Sequence, residues 1–474
     1  MRYGRGRSRW FAALVACSAS AVGGCGGGGG GGGSNPGGGA AAIHFSVAGP
    51  AHIPSGTSFT FTVGAVDASN NPLPTYAGTV QFTSSDTRAQ LPASAPLMSG
   101  QGTFSATLIT GGSQAITVTD ISSSSITGNS NAILVGALPG AYPVDMFGAK
   151  GDGQSDDTPA IQSAIDAAAA AGGGTVLFQV ARYYTTGTLS VPQGVVLSGA
   201  IQGPFDVAGI NPASTTIAPT LLITNTGAPF ITLSGLGAGV TDLLLHYPKQ
   251  VKSSAAVPTV YPYTIEVNGA VAAKVVRSTV TNAYSFLDIQ LGRVMAQDLL
   301  IGAFNIGVNI DHTQDFVTLH NLHHGVFWDE VEGTSYPSAI DNWVLSHGTA
   351  LVVGRMDALE VHNFYVFSRF AGMRFVDSPD NIPGARCGWG SGSDITLENV
   401  QYGIIATAST SQGYKFTSLQ ASSAPGLGQA AVALQAGGTL PPDILVNGGS
   451  VRGSWAQGAF PTPQAGHLSV TNIQ

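Results

Sequence analysis

The sequence predicts an all-β protein. Most of it is a parallel β-helix, closed at its start by one helix and preceded by a β-sandwich. Three observations carry this reading. The segment from Val144 to Phe178, VDMFGAKGDGQSDDTPAIQSAIDAAAAAGGGTVLF, reads as strand, glycine-rich loop with acids, amphipathic helix, glycine stop and strand. Downstream, short strands ending on a turn asparagine recur, at first 21 residues apart and then at longer steps that read as loop insertions in a repeat of about 20 to 25 residues. Upstream, short alternating runs are separated by turn-rich pieces.

Composition agrees. The chain has 474 residues, enough for two or three domains, with 65 glycines and only 9% charged residues. That suits an exported β protein with many turns better than a cytosolic α/β enzyme. A net charge of -8 gives no basic footprint for nucleic acid.

Residues 1–25 read as a lipoprotein-type signal peptide. Arg2, Arg5, Arg7 and Arg9 precede the apolar run WFAALVACSASAVGG, which is too short to span a bilayer. Val22-Gly23-Gly24-Cys25 resembles a bacterial lipobox, in which the cysteine is lipidated and becomes the mature N-terminus. Leu14-Val15-Ala16-Cys17 fits the same pattern with a shorter apolar region, and an ordinary cleaved signal is the third reading. Each takes the protein out of the cytoplasm. With Cys25 lipidated the protein is expected at the bacterial cell envelope or outer surface, touching the membrane through its anchor only. Cys387 is then the one remaining thiol, so no disulfide framework exists. Residues 26–42 are glycine-rich, nearly all glycine from Gly26 to Gly39, and read as a flexible tether.

Residues 43–136 read as the sandwich. FSVAG, SFTFTVGAVDA, GTVQFTSS, GTFSATLIT and QAITVTD alternate, with turns such as SNNPLP between them. Through Val63 to Ala68, Gly78 to Ser85 and Ala115 to Asp120 the segment resembles bacterial Ig-like repeats. It is either a spacer or a glycan-binding module.

Residues 137–474 read as the β-helix. Thr158 is the expected N-cap, with Pro159 at the first helical position. Ile161, Ala164, Ile165 and Ala168 share one face, and Gly172 to Gly174 stop the helix. A solenoid's first coil needs covering, and this apolar face suits that role. The repeated turn positions are Asn321, Asn342, Asn363, Asn399, Asn447 and Asn472, with Ser278 and Asp298 as earlier equivalents. The intervals from Asn321 to Asn342 and from Asn342 to Asn363 are 21 residues each. Asparagine tolerates the left-handed conformation of tight turns and can bond its neighbour along a stack, so these residues read as structural.

Aligning the strands after each turn separates inside from outside. SFLDIQ (285–290), IGVNID (306–311), GVFWD (325–329), TALVVG (349–354), GMRFVD (372–377) and YGIIAT (402–407) give two outward columns. One is Asp288, Asn309, Phe327, Leu351 and Arg374; the other is Gln290, Asp311, Asp329, Val353 and Val376. Asp311 and Asp329 would then face out side by side on adjacent coils, about 4.8 Å apart. Paired carboxylates suit glycosidic chemistry, one protonating the leaving oxygen while the other acts as base or nucleophile. Asp311 and Asp329 are therefore the candidate catalytic residues. Asp288, Asn309, Phe327, Glu330 and Arg374 are the candidate substrate contacts, with Phe327 stacking on a sugar ring. The competing reading is that these aspartates are only solvated surface groups.

No metal site is expected. Adjacent His323 and His324 point to opposite faces of a strand, so they do not share an ion. The acids of GAKGDGQSDD lack the pattern of an EF-hand or a phosphate loop and read as turn and helix-start chemistry.

The opening segment resembles the entry of the pectate-lyase-like superfamily of single-stranded right-handed β-helices. The likeness runs from about Tyr142 to the end of the chain and is weaker beyond that segment. HYPKQ (246–250) and YPYTI (261–265) look like a signature of a bacterial branch of the same superfamily. The resemblance implies a right-handed β-helix and a polysaccharide partner. It implies hydrolysis, β-elimination or epimerisation without choosing among them. It also implies no cofactor, with calcium added if the reaction is a lyase's. The Asn-Thr-Asp, Gly-His-Gly and Arg-Ile-Lys signatures of polygalacturonases are absent. A non-catalytic glycan-binding or adhesive surface protein is the alternative function. Sugar, linkage and oligomeric state are not written in the sequence.

Overall fold

The computed structural model describes residues 44–136, 140–207, 210–250, 257–313, 316–325, 339–378, 388–409, 412–423, 426, 428–435, 441–453, 455 and 466–474. Cys25, Cys387, Phe327, Asp329 and Glu330 lie outside the described residues.

The first domain is a β-sandwich. His44–Ala48, Ser58–Val66 and Gln101–Thr107 form one antiparallel sheet. Ala95–Pro96, Thr79–Ser84, Ile116–Asp120 and Thr127–Asn129 form another. Alternation turns Phe61, Val63 and Ala65 of the first toward Val80, Ile116 and Val118 of the second, and all are buried. At the junction with the next domain, His52 Nε2 and Tyr142 Oη share a 2.7 Å hydrogen bond, and Leu134 packs into the second core.

Between Ala141 and Ile473 the described residues wind as a right-handed parallel β-helix, with 24 strands among them. Each coil contributes to three parallel ladders. In the first, Val275 pairs with Ala296, Ala296 with Leu319, and Leu319 with Val361. In the second, Leu299 pairs with Leu322, and Leu322 with Phe364. In the third, Ile265, Leu287, Val308, Leu351, Met373, Ile404 and Val432 lie in register on successive coils. All seven side chains are fully buried. This apolar stack is what holds the coils together: each coil alone exposes its interior, and stacking removes it from water.

Helix α1 (Thr158–Ala170) covers the first coil with Ile161, Ala164, Ile165 and Ala168, all 0% exposed. The helix starts one residue earlier than the sequence implies. Asp157 precedes it, and Thr158 is its first residue rather than its cap. The Thr158 N–H and hydroxyl instead donate to Asp156 Oδ1 at 3.0 and 2.6 Å. The neighbouring acids are structural as well. Asp152 accepts the N–H groups of Gln154 and Ser155, which hold its carboxyl down at about 2. Asp157 accepts those of Lys150 and Gly151.

Between the first and second ladders the chain turns on one left-handed residue. Asp298, Asn321, Asn363 and Asn472 occupy this corner with φ of 54, 55, 51 and 56°. Asn321 Nδ2 donates to Asp298 Oδ1 at 2.6 Å and Asn363 Nδ2 to Asn321 Oδ1 at 2.8 Å, so the corners are stitched coil to coil. The other expected positions differ. Arg277, not Ser278, takes the corner, and Gly448 rather than Asn447 does so later. Asn399 marks a different corner, where its amide donates to Ser368 Oγ at 2.6 Å. Asn342 is no turn residue. It lies in α2 (Ala339–His347), whose Ile340 and Val344 pack on Phe304.

Candidate active site on the third ladder

The outer face of the third ladder is built by period-2 alternation around that buried column. Glu266 pairs with Asp288, Asp288 with Asn309, Asn309 with Val352, and Val352 with Arg374. These five side chains are half-buried, while the residues flanking each in its strand are buried. Asp288, Asn309 and Arg374 thus share the outward column expected of them. The strand 349–353 sits one residue out of the expected phase. Leu351 and Val353 point inward at 0% exposure, and Val352 takes the outward place.

Glu266 and Asp288 form a pair of carboxylates on adjacent coils. Register puts their backbones about 4.8 Å apart. Asp288 Oδ1 accepts two amide N–H groups, from Gln290 at 2.9 Å and from Asn309 at 2.8 Å. Its Oδ2 has no protein partner among the described residues. Among the described residues Glu266 is held only by a long 3.5 Å contact from Asn268. Burial, and then the charge of Asp288, push the nearby Tyr263 hydroxyl well above its ordinary pKa, so it stays a neutral donor. Arg374 carries a buried Nε with no hydrogen-bond partner. Among the described residues no acidic side chain is paired with this guanidinium, and a guanidinium so placed suits binding of an anion.

A second set of contacts continues from Asp288. Gln290 Oε1 and His312 Nδ1 lie 2.9 Å apart, and His312 Nδ1 is 3.3 Å from Asp311 Oδ2. Both neighbours of Nδ1 are acceptors, which assigns the ring a proton there. Ser378 Oγ donates to Asp311 Oδ2 at 2.9 Å and sits 3.4 Å from His312 Nε2. The backbone N–H groups of His312 and Arg355 donate to Asp311 Oδ1 at 2.9 and 2.8 Å.

These contacts correct the role expected of Asp311. It is 6% exposed and both of its oxygens are engaged, so it is a bracket that fixes His312 and the turn at 354–355. The next coil is supplied by the strand 349–353. Val308 pairs with Leu351 and Ile310 with Val353, which leaves Gly354 beside Asp311 where Asp329 was expected. A Cβ on Gly354 would lie 2.7 Å from Asp311 Oδ1, so the bracket itself requires glycine there. The positions of Asp329, Phe327 and Glu330 fall outside the described residues.

Sequence reasoning missed Glu266 and His312. Glu266 sits in Tyr263–Asn268, one coil before the alignment began. His312 follows the strand in a left-handed turn conformation, φ 57°, where alternation gives no direction.

The other motifs are structural. His246 is buried, with Nδ1 2.6 Å from Thr281 Oγ1, and Tyr247 bonds Thr264 at 2.9 Å. Gln250 exchanges two 2.8 Å hydrogen bonds with the Thr259 backbone, clipping the loop between HYPKQ and YPYTI. His324 points into the coil against Ala303 O at 3.1 Å, whereas the His323 ring meets Tyr365 edge-on. Among the described residues no group of three His, Cys, Asp or Glu side chains gathers as metal ligands.

Residues 142–325 match the family model described as rhamnogalacturonase A/epimerase, pectate lyase-like. Short stretches are similar to curated proteins of Azotobacter vinelandii. One is 49% identical over 71 residues to mannuronan C5-epimerase AlgE3, and another is 52% identical over 56 residues to alginate lyase 7. These cover 14% and 12% of this chain, and 4% and 6% of those proteins. Among solved structures, an exopolygalacturonase from Thermotoga maritima aligns with a TM-score of 0.41 at 11% identity, over 71% of this chain and 87% of that one.

Proposed function

We propose that the protein is an exported, polysaccharide-modifying enzyme that cleaves glycosidic bonds at the Glu266–Asp288 pair, by hydrolysis or β-elimination. The observation that carries this reading is the pair itself. Two outward carboxylates sit in register on adjacent coils, one oriented by two amides, each with an oxygen left for substrate. One carboxyl group can deliver a proton to a leaving oxygen while the other takes a proton or attacks. Arg374 on the same column would receive an anionic group of the chain being cut. Gln290 and Asn309 fix Asp288, and Asp311 fixes His312 beside them. The match of residues 142–325 to a pectate-lyase-like family, and the similarity to epimerase and lyase sequences, support a polysaccharide, with uronate residues among its sugars.

The described residues provide two carboxylates for a cation, not a full ligand set, so no step is assigned to calcium. Incubation with polygalacturonate, rhamnogalacturonan and alginate tests the reading. Hydrolysis releases reducing ends alone, and β-elimination adds the ultraviolet absorbance of an unsaturated uronide. Inhibition by a chelator would place calcium with the second reaction. Polysaccharide retention with no new ends for any substrate would favour the non-catalytic, adhesive reading. The likeness of Val22-Gly23-Gly24-Cys25 to a lipobox supports attachment to the cell envelope through Cys25, with Cys17 as the other candidate.

A further inference from the structure

We propose a second carbohydrate-binding surface on the outer face of the first ladder, where Phe316 and Trp389 form a stacking platform for sugar rings. Phe316 is 47% exposed and Trp389 39%. They are the only exposed aromatic side chains among the described residues. All other described aromatics are at least half-buried, so the exposure is confined to this one place. Register explains why they meet. Phe316 pairs with Ala358 and Ala358 with Trp389, so the two rings stand two coils apart with a methyl group between them. Ala358 occupies the outward position between the two rings in the register and is 1% exposed. Their centroids are 6.4 Å apart at 84°.

The surface beside the rings is polar. The next outward positions of the same strands hold Thr318, Glu360 and Ser391, in register. Beyond them come His320, His362 and Ser393, with His362 Nδ1 bonded to Ser393 Oγ at 3.0 Å. Apolar rings flanked by rows of hydroxyl, carboxylate and imidazole groups match a sugar, which presents a C–H face for stacking and a rim of hydroxyls for hydrogen bonds. A protein partner would call for a wider continuous apolar patch than two rings and a methyl group. The platform lies on a different ladder from Glu266 and Asp288. It holds a polysaccharide chain without taking part in its cleavage, and it does not depend on the catalytic reading.

The test is binding to polygalacturonate, rhamnogalacturonan, alginate and dextran, by affinity electrophoresis and tryptophan emission. It compares the full-length protein with Phe316→Ala, Trp389→Ala, Trp389→Phe and the double alanine variant. Each is checked for unchanged far-ultraviolet dichroism, and each is also made in an Asp288→Asn background. The double variant should bind at least one probe roughly tenfold more weakly, from two lost stacking contacts. Trp389→Phe should retain most of the affinity while losing the emission change. Equal retention of wild type and double variant, or retention of no probe by the wild type, overturns the proposal. Loss of cleavage in Asp288→Asn with retention intact leaves the platform standing and bears only on the site of the third ladder.

Discussion

Asn309 donates a 2.8 Å hydrogen bond from Nδ2 to Oδ1 of Asp288, its register partner on the preceding coil. The bond crosses the ladder, so the repeat of the fold fixes the orientation of the carboxylate. Gln290, two residues along the strand from Asp288, supplies the second N–H to the same oxygen. Asp288→Asn is expected to lower the rate of cleavage by roughly 100- to 10,000-fold, the usual share of a general acid or base. Asn309→Ala should lower it by about tenfold, the worth of one hydrogen bond to a charged group. Initial rates on a cleaved polysaccharide, with melting temperatures as the control for folding, check both.

Arg374 predicts a different signature. It is separated from Asn309 by Val352 and touches neither carboxylate of the pair. Arg374→Gln should therefore raise KM for a uronate polymer severalfold and leave kcat nearly unchanged, because it removes binding that is equal in ground and transition states. An equal fall in kcat would instead put the guanidinium at the reacting bond.

The Asp311 bracket makes a stability prediction. Gly354→Ala places a methyl group 2.7 Å from Asp311 Oδ1, against a carboxylate already fixed by two backbone N–H groups and Ser378. Overpacking of this kind costs about 1–3 kcal/mol. Urea unfolding of Gly354→Ala measures it, and an unchanged midpoint would mean that the bracket yields.

The asparagine corner is tested by conformation. Asn363 has φ 51° and donates to Asn321. Asn363→Ala loses the bond and keeps a left-handed residue with a Cβ, at roughly 1–2 kcal/mol for the backbone alone. Asn363→Gly loses only the bond and should fall between wild type and alanine in thermal unfolding.

The sequence showed these features unevenly, and the reasons are physical. The face of α1 was legible because Ile161, Ala164, Ile165 and Ala168 are apolar at helical spacing, with Gln162, Ser163 and Asp166 between them. The pairing of Asp288 with Asn309 and of Gln290 with Asp311 was legible because no insertion separates those coils. After Asp311 the signal is harder to read. GVFWD alternates like a coil strand, and the Ala339-Ile340-Asp341-Asn342 start of α2 imitates strand and turn. Residues 350–353, Ala-Leu-Val-Val, are apolar at every position, so period 2 has no phase there. A buried threonine, Thr349, marks the inward parity instead. The carboxylate pair was hidden for a different reason: Glu266 lies one coil before the aligned strands, so the partner that faces Asp288 was not among them.

Buried His246 gives a pH dependence with a definite sign. Burial lowers its pKa from the ordinary 6.5 to about 4. The folded protein therefore resists a proton that the unfolded chain accepts more readily. Above the unfolded value both states are neutral and the full stability is present. As the pH falls below 6.5 the unfolded state is protonated first, and stability declines until the folded-state value near 4 is reached. The total is on the order of 3 kcal/mol, from about 1.4 kcal/mol per unit. His324, held well below its ordinary value by burial and the charge of Arg369, adds in the same direction. His246→Gln keeps a polar side chain beside Thr281 and removes this titration. Chemical denaturation across this acidic range should show a shallower loss of stability for the variant than for the wild type. Parallel curves would mean that His246 is protonated in the folded coil or hydrated there.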